Sequence, residues 1–207
     1  MTRPGAIRVL RAADRTDTLW KNGAGVTREI AVRPEGAGTG DFAWRVSLAD
    51  VRADGPFSAF PDVDRTLTLA EGAGMDLTVA GARHLVDERY APQDFAGDAP
   101  TGCRLLDGPV VNFNVMFRRG SVRARTAVVR GALGLAVPPG ETLLVVALRG
   151  PAVLEGAGGA PDVGLDPYDA LLADGPYERT VRTDGCAAVV RFTPVGPGGR
   201  GAGEARR

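Results

Sequence analysis

The stretch "VVNFNVMF" (residues 110–117) decides the fold. In a strand, successive side chains point to opposite faces. That places Val111, Phe113, Val115 and Phe117 on one side and Asn112, Asn114 and Met116 on the other. Strand centres disfavour asparagine. Two asparagines two apart, backed by an apolar face, describe a sheet packed on one side that meets something polar on the other, either solvent or a hollow. Met116 on the asparagine face favours the hollow.

The same texture extends outward in both directions. "FAWRVSLADV" (42–51) sets Phe42, Trp44, Val46 and Leu48 on one face against Arg45 and Ser47 on the other. Gly and Pro interrupt short runs rich in Val, Leu, Thr and Phe, including "GVTREIAV", "DRTLTLA", "ETLLVVALRG" and "CAAVVRFTPV". Many short strands with frequent turn signals indicate an all-β sandwich or barrel. Helical periodicity is confined to "DPYDALLAD" (166–174), where Asp166 before Pro167 reads as the start of one short helix. "NGAGVT" and "EGAGMD" read as hairpin turns, because both lead into strands and lack the strand-to-helix setting of a dinucleotide loop. The strands divide into residues 1–119 and 120–195. The Gly- and Arg-rich tail, 196–207, is expected to be disordered.

Composition narrows the function classes. The chain has 207 residues, 44% of them hydrophobic, and a formal net charge of +0. Nothing in that balance is a nucleic-acid footprint, and the arginines of "RRGSVRAR" (118–125) have no interleaved aromatics. No run reaches the roughly 18 apolar residues of a membrane helix. The start lacks a signal-peptide pattern, so a cytoplasmic location is expected, with Cys103 and Cys186 as reduced, buried thiols. His84 is the single histidine, which cannot supply the two or three imidazoles of a metal-dependent β-barrel enzyme. Ser47, Ser58 and Ser121 stand in no G-x-S-x-G elbow.

Polar residues gather in two further places. "DGPFSAFPDVDRTLTL" (54–69) sets Phe57 and Phe60 around Ser58, with Arg65 opening the next strand. Apolar walls with a few placed donors make a small-ligand pocket. An arginine there needs a partner, either a structural carboxylate (Asp62, Asp64 or Glu29) or a carboxylate ligand. The second place is "TLWKNGAGVTREIAV" (18–32), which holds Trp20, the sole lysine, Lys21, and Asn22 in a Gly-containing turn.

The blocks "WKNGAGVTREI", "FAWRVSLADV", "GPFSAFPDVDRTLTL", "FAGD" (95–98) and "LLDGPVVNFNVMFRR" together resemble the HutD/Ves family in order and spacing over residues 18–120. The resemblance implies a cupin-type (RmlC-like jelly-roll) β-sandwich, a bicupin with two β lobes and little helix, assembled as a homodimer. It implies no metal, no cofactor and no catalytic residues. It also implies a regulatory protein that senses or sequesters a small anionic ligand of histidine utilisation, such as urocanate or N-formylglutamate. The alternative function is a metal-independent isomerase or hydrolase acting on a small acid, with Glu29, Asp41, Asp62 and Asp64 as the available carboxylates.

On this reading Trp20 walls the pocket, Asn22 and backbone amides beside Gly23 donate to the ligand, and Arg45 and Arg65 pair with its carboxylate. Ser58, Asn112 and Asn114 orient the ligand, and Phe57, Phe60 and Met116 pack its body. Arg28 and Glu29 point to opposite faces, and Arg28 is taken as the one that enters. Three departures from the family pattern stand out. "NGAG" replaces the usual "NGGG", Asp62 replaces a glycine after "FP", and "NFN" replaces the frequent "DFN", which removes a negative charge at Asn112.

Overall fold

A computed structural model describes residues 6–196, so most of the expected disordered tail, from 197 on, lies outside the described residues. The strands of the first half are β1 (Ile7–Leu10), β2 (Asp17–Leu19), β3 (Gly25–Arg33), β4 (Trp44–Val51), β5 (Gly55–Pro56) and β6 (Val63–Glu71). They continue with β7 (Met75–Val79), β8 (Ala82–Val86), β9 (Pro92–Ala96), β10 (Thr101–Leu105) and β11 (Val110–Arg118). The second half adds β12 (Val122–Val137), β13 (Thr142–Arg149), β14 (Ala152–Leu154), β15 (Val163–Leu165), β16 (Ala170–Asp174) and β17 (Tyr177–Pro194). The one helical element among the described residues is a 3-10 turn, Ala12–Asp14.

The strands form three antiparallel sheets. The central sheet runs β2-β3-β4-β11-β6-β9, a smaller one runs β5-β10-β7-β8, and the third runs β1-β16-β13-β17-β14-β15 with β12 also on β17. Trp44, Val46, Leu48, Phe113 and Val115 on one face of the central sheet pack against Leu144, Val146, Leu172, Val190 and Phe192 of the third. Trp44 and Phe192 stack with ring centroids 4.1 Å apart and planes 9° from parallel. The other face of the central sheet packs Leu67, Leu69 and Val110 against Met75, Leu77 and Val86 of the small sheet.

β13 shows why "TLLVVALR" is apolar throughout. Its even residues, Leu144 and Val146, face the central sheet, and its odd residues, Leu143, Val145 and Ala147, enter a separate aliphatic core with Leu135, Leu154, Leu165 and Val181. A strand buried on both faces loses the period-2 signature.

Two local expectations are corrected. "DPYDALLAD" is not a helix: residues 166–169 turn, the Asp169 N–H donating to the Asp166 carbonyl at 2.9 Å, and 170–174 form strand β16. Burial decides it, because Leu171 and Leu172 each have a core to fill on opposite sides of the sheet. "EGAG" (71–74) is not a hairpin. It carries the chain from β6 in the central sheet to β7 in the small one, with Gly72 and Gly74 at φ of 97° and 113°. "NGAG" does close the β2–β3 hairpin, with Gly23 at φ 70°. Asp62 sits at φ 59°, in the left-handed region that aspartate tolerates better than most residues.

Candidate functional site

Register places the site. Across β4, β11 and β6, Arg45, Met116 and Arg65 stand in one row, Ser47, Asn114 and Leu67 in the next, and Ala49, Asn112 and Leu69 in a third. Paired residues on neighbouring strands share a face, so these rows point away from the Trp44–Phe192 core. All of their residues but Leu67 and Leu69, which pack against the small sheet, floor a cavity of about 480 Å³, within the size range of small-ligand pockets. Its rim is the 20–22 corner of the β2–β3 hairpin and the 56–60 loop.

The hairpin is held by its own bonds. Trp20 Nε1 donates to Thr27 Oγ1 at 2.8 Å, fixing the indole as a wall. Asn22 Oδ1 accepts from the Ala24 N–H at 3.1 Å, so the turn engages its carbonyl end. Gly25 is required by close approach. A Cβ there would lie 2.3 Å from the Asp50 carbonyl and 3.1 Å from the Trp20 ring.

Arg65 is the unusual group. It is 8% exposed, and among the described residues no carboxylate pairs with it. Its one side-chain partner is Asn114 Oδ1, at 3.3 Å from Nη2. Its guanidinium carbon lies 5.1 Å from the ring centroids of Phe57 and Phe95 and 5.9 Å from that of Phe60. Burial lowers its pKa well below the ordinary guanidinium range, to about 10, which leaves it charged at neutral pH. Gly97 makes room for it, because a Cβ there would lie 2.8 Å from the Val63 carbonyl and 3.2 Å from Arg65 Cγ. The "FAGD" block thus backs Arg65 with a ring and a gap, a role the sequence reading did not assign.

The carboxylates proposed for Arg65 are engaged elsewhere or lie away from it. Asp64 pairs with Arg119, and Glu29 Oε2 accepts from Arg45 Nε at 2.7 Å. Arg45 therefore lines the cavity as half of an internal salt bridge, and the two candidate arginines differ. The ionisable side chains lining the cavity are Lys21, Arg45 and Arg65, with no Asp, Glu or His among them.

Trp20, Asn22, Arg45, Phe57, Ser58, Phe60, Arg65, Asn112, Asn114 and Met116 all line this one cavity. Two expected residues do not. Arg28 turns the other way, opposite Leu48 in the register, and grips Asp50 with both terminal nitrogens, at 3.1 and 2.9 Å, and Asp17 with Nε. Glu29, opposite Ser47, holds the cavity face instead. Gly23 serves the turn, its N–H donating to the Trp20 carbonyl at 3.0 Å. Phe57 and Phe60 flank the Arg65 guanidinium as well as the open space. Thr27 and Ser47 were missed as lining residues, although the alternation that selected Arg45 also selects Ser47. Elsewhere, His84 is exposed on β8, and no three His, Cys, Asp or Glu side chains cluster among the described residues.

The sequence matches the HutD family model over residues 12–190. The chain belongs to the HutD family. A Pseudomonas putida relative, an uncharacterized 21.2 kDa protein in the hutC 3' region, is 33% identical over 83% of this chain and 89% of its own. Protein Ves of Cronobacter sakazakii is 41% identical over 53% of this chain, a match that spans 60% of the Ves protein. The solved structure of HutD from Pseudomonas fluorescens SBW25, from a formate condition, superposes with a TM-score of 0.80 at 33% identity, covering 91% of this chain and 99% of that one. A bacterial pirin from Escherichia coli shares the fold at a TM-score of 0.64 and 12% identity, over 91% of this chain and 99% of the pirin. The all-β, cupin-like architecture expected from the sequence is therefore the observed one.

Proposed function

We propose that the protein is a regulatory binder that senses or sequesters a small carboxylic acid of histidine utilisation, such as urocanate or N-formylglutamate, in this cavity. The observation that carries the reading is Arg65, a buried cation in an aromatic cage with no carboxylate partner among the described residues. A ligand carboxylate would supply that partner, in the bidentate geometry arginine favours. Lys21 on the rim adds a second cation to the lining, Arg45 being matched by Glu29. The family and the hutC-region relative support the pathway. A metal-independent isomerase or hydrolase would need a general acid or base at the ligand, for which the lining offers Lys21 but, among the described residues, no Asp, Glu or His. The reading includes two cupin-like lobes, 1–119 and 120–195, with the site in the first, and a cytoplasmic homodimer.

A thermal-shift panel of histidine-pathway acids tests it, since a ligand that prefers the folded state raises the melting temperature. One or more acids is expected to do so. No shift from any of them at millimolar concentration refutes the reading.

A further inference from the structure

Asn112 is 1% exposed and lines the cavity, and neither its Nδ2 nor its Oδ1 has a hydrogen-bond partner among the described residues. Its register neighbours are Ala49 on β4 and Leu69 on β6, whose side chains can neither donate nor accept. An amide buried with both ends unmatched is unfavourable unless something in the cavity completes it. It lies one pleat repeat, about 7 Å along the strand, from Asn114, whose Oδ1 holds the Arg65 guanidinium. A small ligand anchored at Arg65 extends naturally toward Asn112.

We propose that Asn112 determines the specificity of the cavity: the ligand is a small carboxylic acid whose far end is a neutral group carrying a donor and an acceptor side by side, of the primary-amide class. This rests on the anion-binding reading above. An asparagine side chain offers donors and an acceptor together. A second carboxylate or an ester would meet Nδ2 and leave Oδ1 unmatched. An ammonium or imidazolium group would meet Oδ1, leave Nδ2 unmatched, and add a cation to a cavity already lined by Lys21 and by Arg65, which has no carboxylate partner among the described residues. Only a group with both functions satisfies both ends.

The test uses glutaramate and monomethyl glutarate, two monocarboxylates of matched chain length; the ester end keeps the carbonyl acceptor, lacks the N–H donor and carries an extra methyl, whose steric effect the Asn112→Leu comparison isolates. Titration calorimetry of the wild-type protein is expected to show glutaramate bound about fivefold to a hundredfold tighter, the range that an unmatched buried acceptor costs. In Asn112→Leu both probes are retained through Arg65 and the ratio falls to about one. In the isosteric Asn112→Asp, which presents acceptors only and adds a negative charge, both probes bind about tenfold more weakly or worse. A wild-type ratio near one, a ratio that survives Asn112→Leu, or unchanged affinities in Asn112→Asp overturns the assignment, Asn112 then being served by solvent. If the wild-type protein binds neither probe, the anion-site reading fails with it. If it binds both equally, only the Asn112 assignment fails.

Discussion

Replacing Arg65 with methionine separates a ligand-binding charge from a structural one. Methionine keeps the unbranched aliphatic stem and removes the guanidinium. The lowering of the Arg65 pKa by burial to about 10, below the ordinary guanidinium range, corresponds to about 3 kcal/mol of lost charge solvation. Against this stand the faces of Phe57, Phe60 and Phe95, together worth about 1–2 kcal/mol, and one charge-assisted bond to Asn114, worth about 1.5 kcal/mol. The terms nearly cancel, so Arg65→Met should change the stability of the free protein by no more than about 2 kcal/mol. For a chain of this size that is within about 8 °C of melting temperature. Breaking a buried ion pair costs about 3–5 kcal/mol instead. Ligand at a hundredfold excess over Kd should add about 2.7 kcal/mol to the wild type and nothing to the variant. Urea unfolding with and without ligand reads both quantities. A loss of 3–5 kcal/mol in the free protein would show that Arg65 has a structural partner, and an undiminished ligand effect in the variant would remove it from the site.

Three further outcomes follow from the same geometry. Gly97→Ala pushes a methyl against the Val63 carbonyl and the Arg65 stem, so it should cost about 1–3 kcal/mol and weaken acid binding, measured by unfolding and calorimetry. Phe192→Ala removes half of the stacked pair on the opposite face of the central sheet; it should cost about 3–5 kcal/mol while leaving ligand affinity unchanged. Hydrogen bonds from Arg83 and Arg104 hold the Asp76 carboxyl below its ordinary 3.8. A depressed pKa contributes stability above 3.8 that is lost as pH falls through the folded-state value, so melting temperature should drop steadily below about pH 4. Asp76→Asn should flatten that drop.

What the sequence revealed of the site depended on whether the signal was local to one strand. Asn112, Asn114 and Met116 were legible because a two-residue period with a fully apolar reverse face leaves only one assignment. Arg28 was misplaced although the signal was present: Val26 and Ile30 flank it at that period and mark its face as the packed one, leaving Thr27 and Glu29 to the cavity side. The 166–174 segment failed differently. "ALLAD" is buried on both faces, and an apolar run without alternation looks the same in a buried strand as in a helix. The parts that needed tertiary information were Gly97 and Phe95. A missing Cβ matters only against a neighbour, and the neighbour, Arg65, comes from a different strand.

The two halves bury their interiors by opposite means, and the contrast explains why the cavity lies in the first. In β13 both alternating sets are aliphatic, so the inward set closes with Leu135, Leu154, Leu165 and Val181 into a packed core. On β4 and β11 the face turned to the cavity carries Arg45, Ser47, Asn112 and Asn114. Side chains with polar ends cannot be pressed together without matching each donor and acceptor. Arg45 and Glu29 match each other, as do Trp20 and Thr27. Arg65 is matched only by one neutral oxygen, and Asn112 not at all. A fold selected only for stability would fill both positions with leucine. Their presence in the first half is best understood as complementarity to a molecule that carries the missing charge and the missing hydrogen bonds.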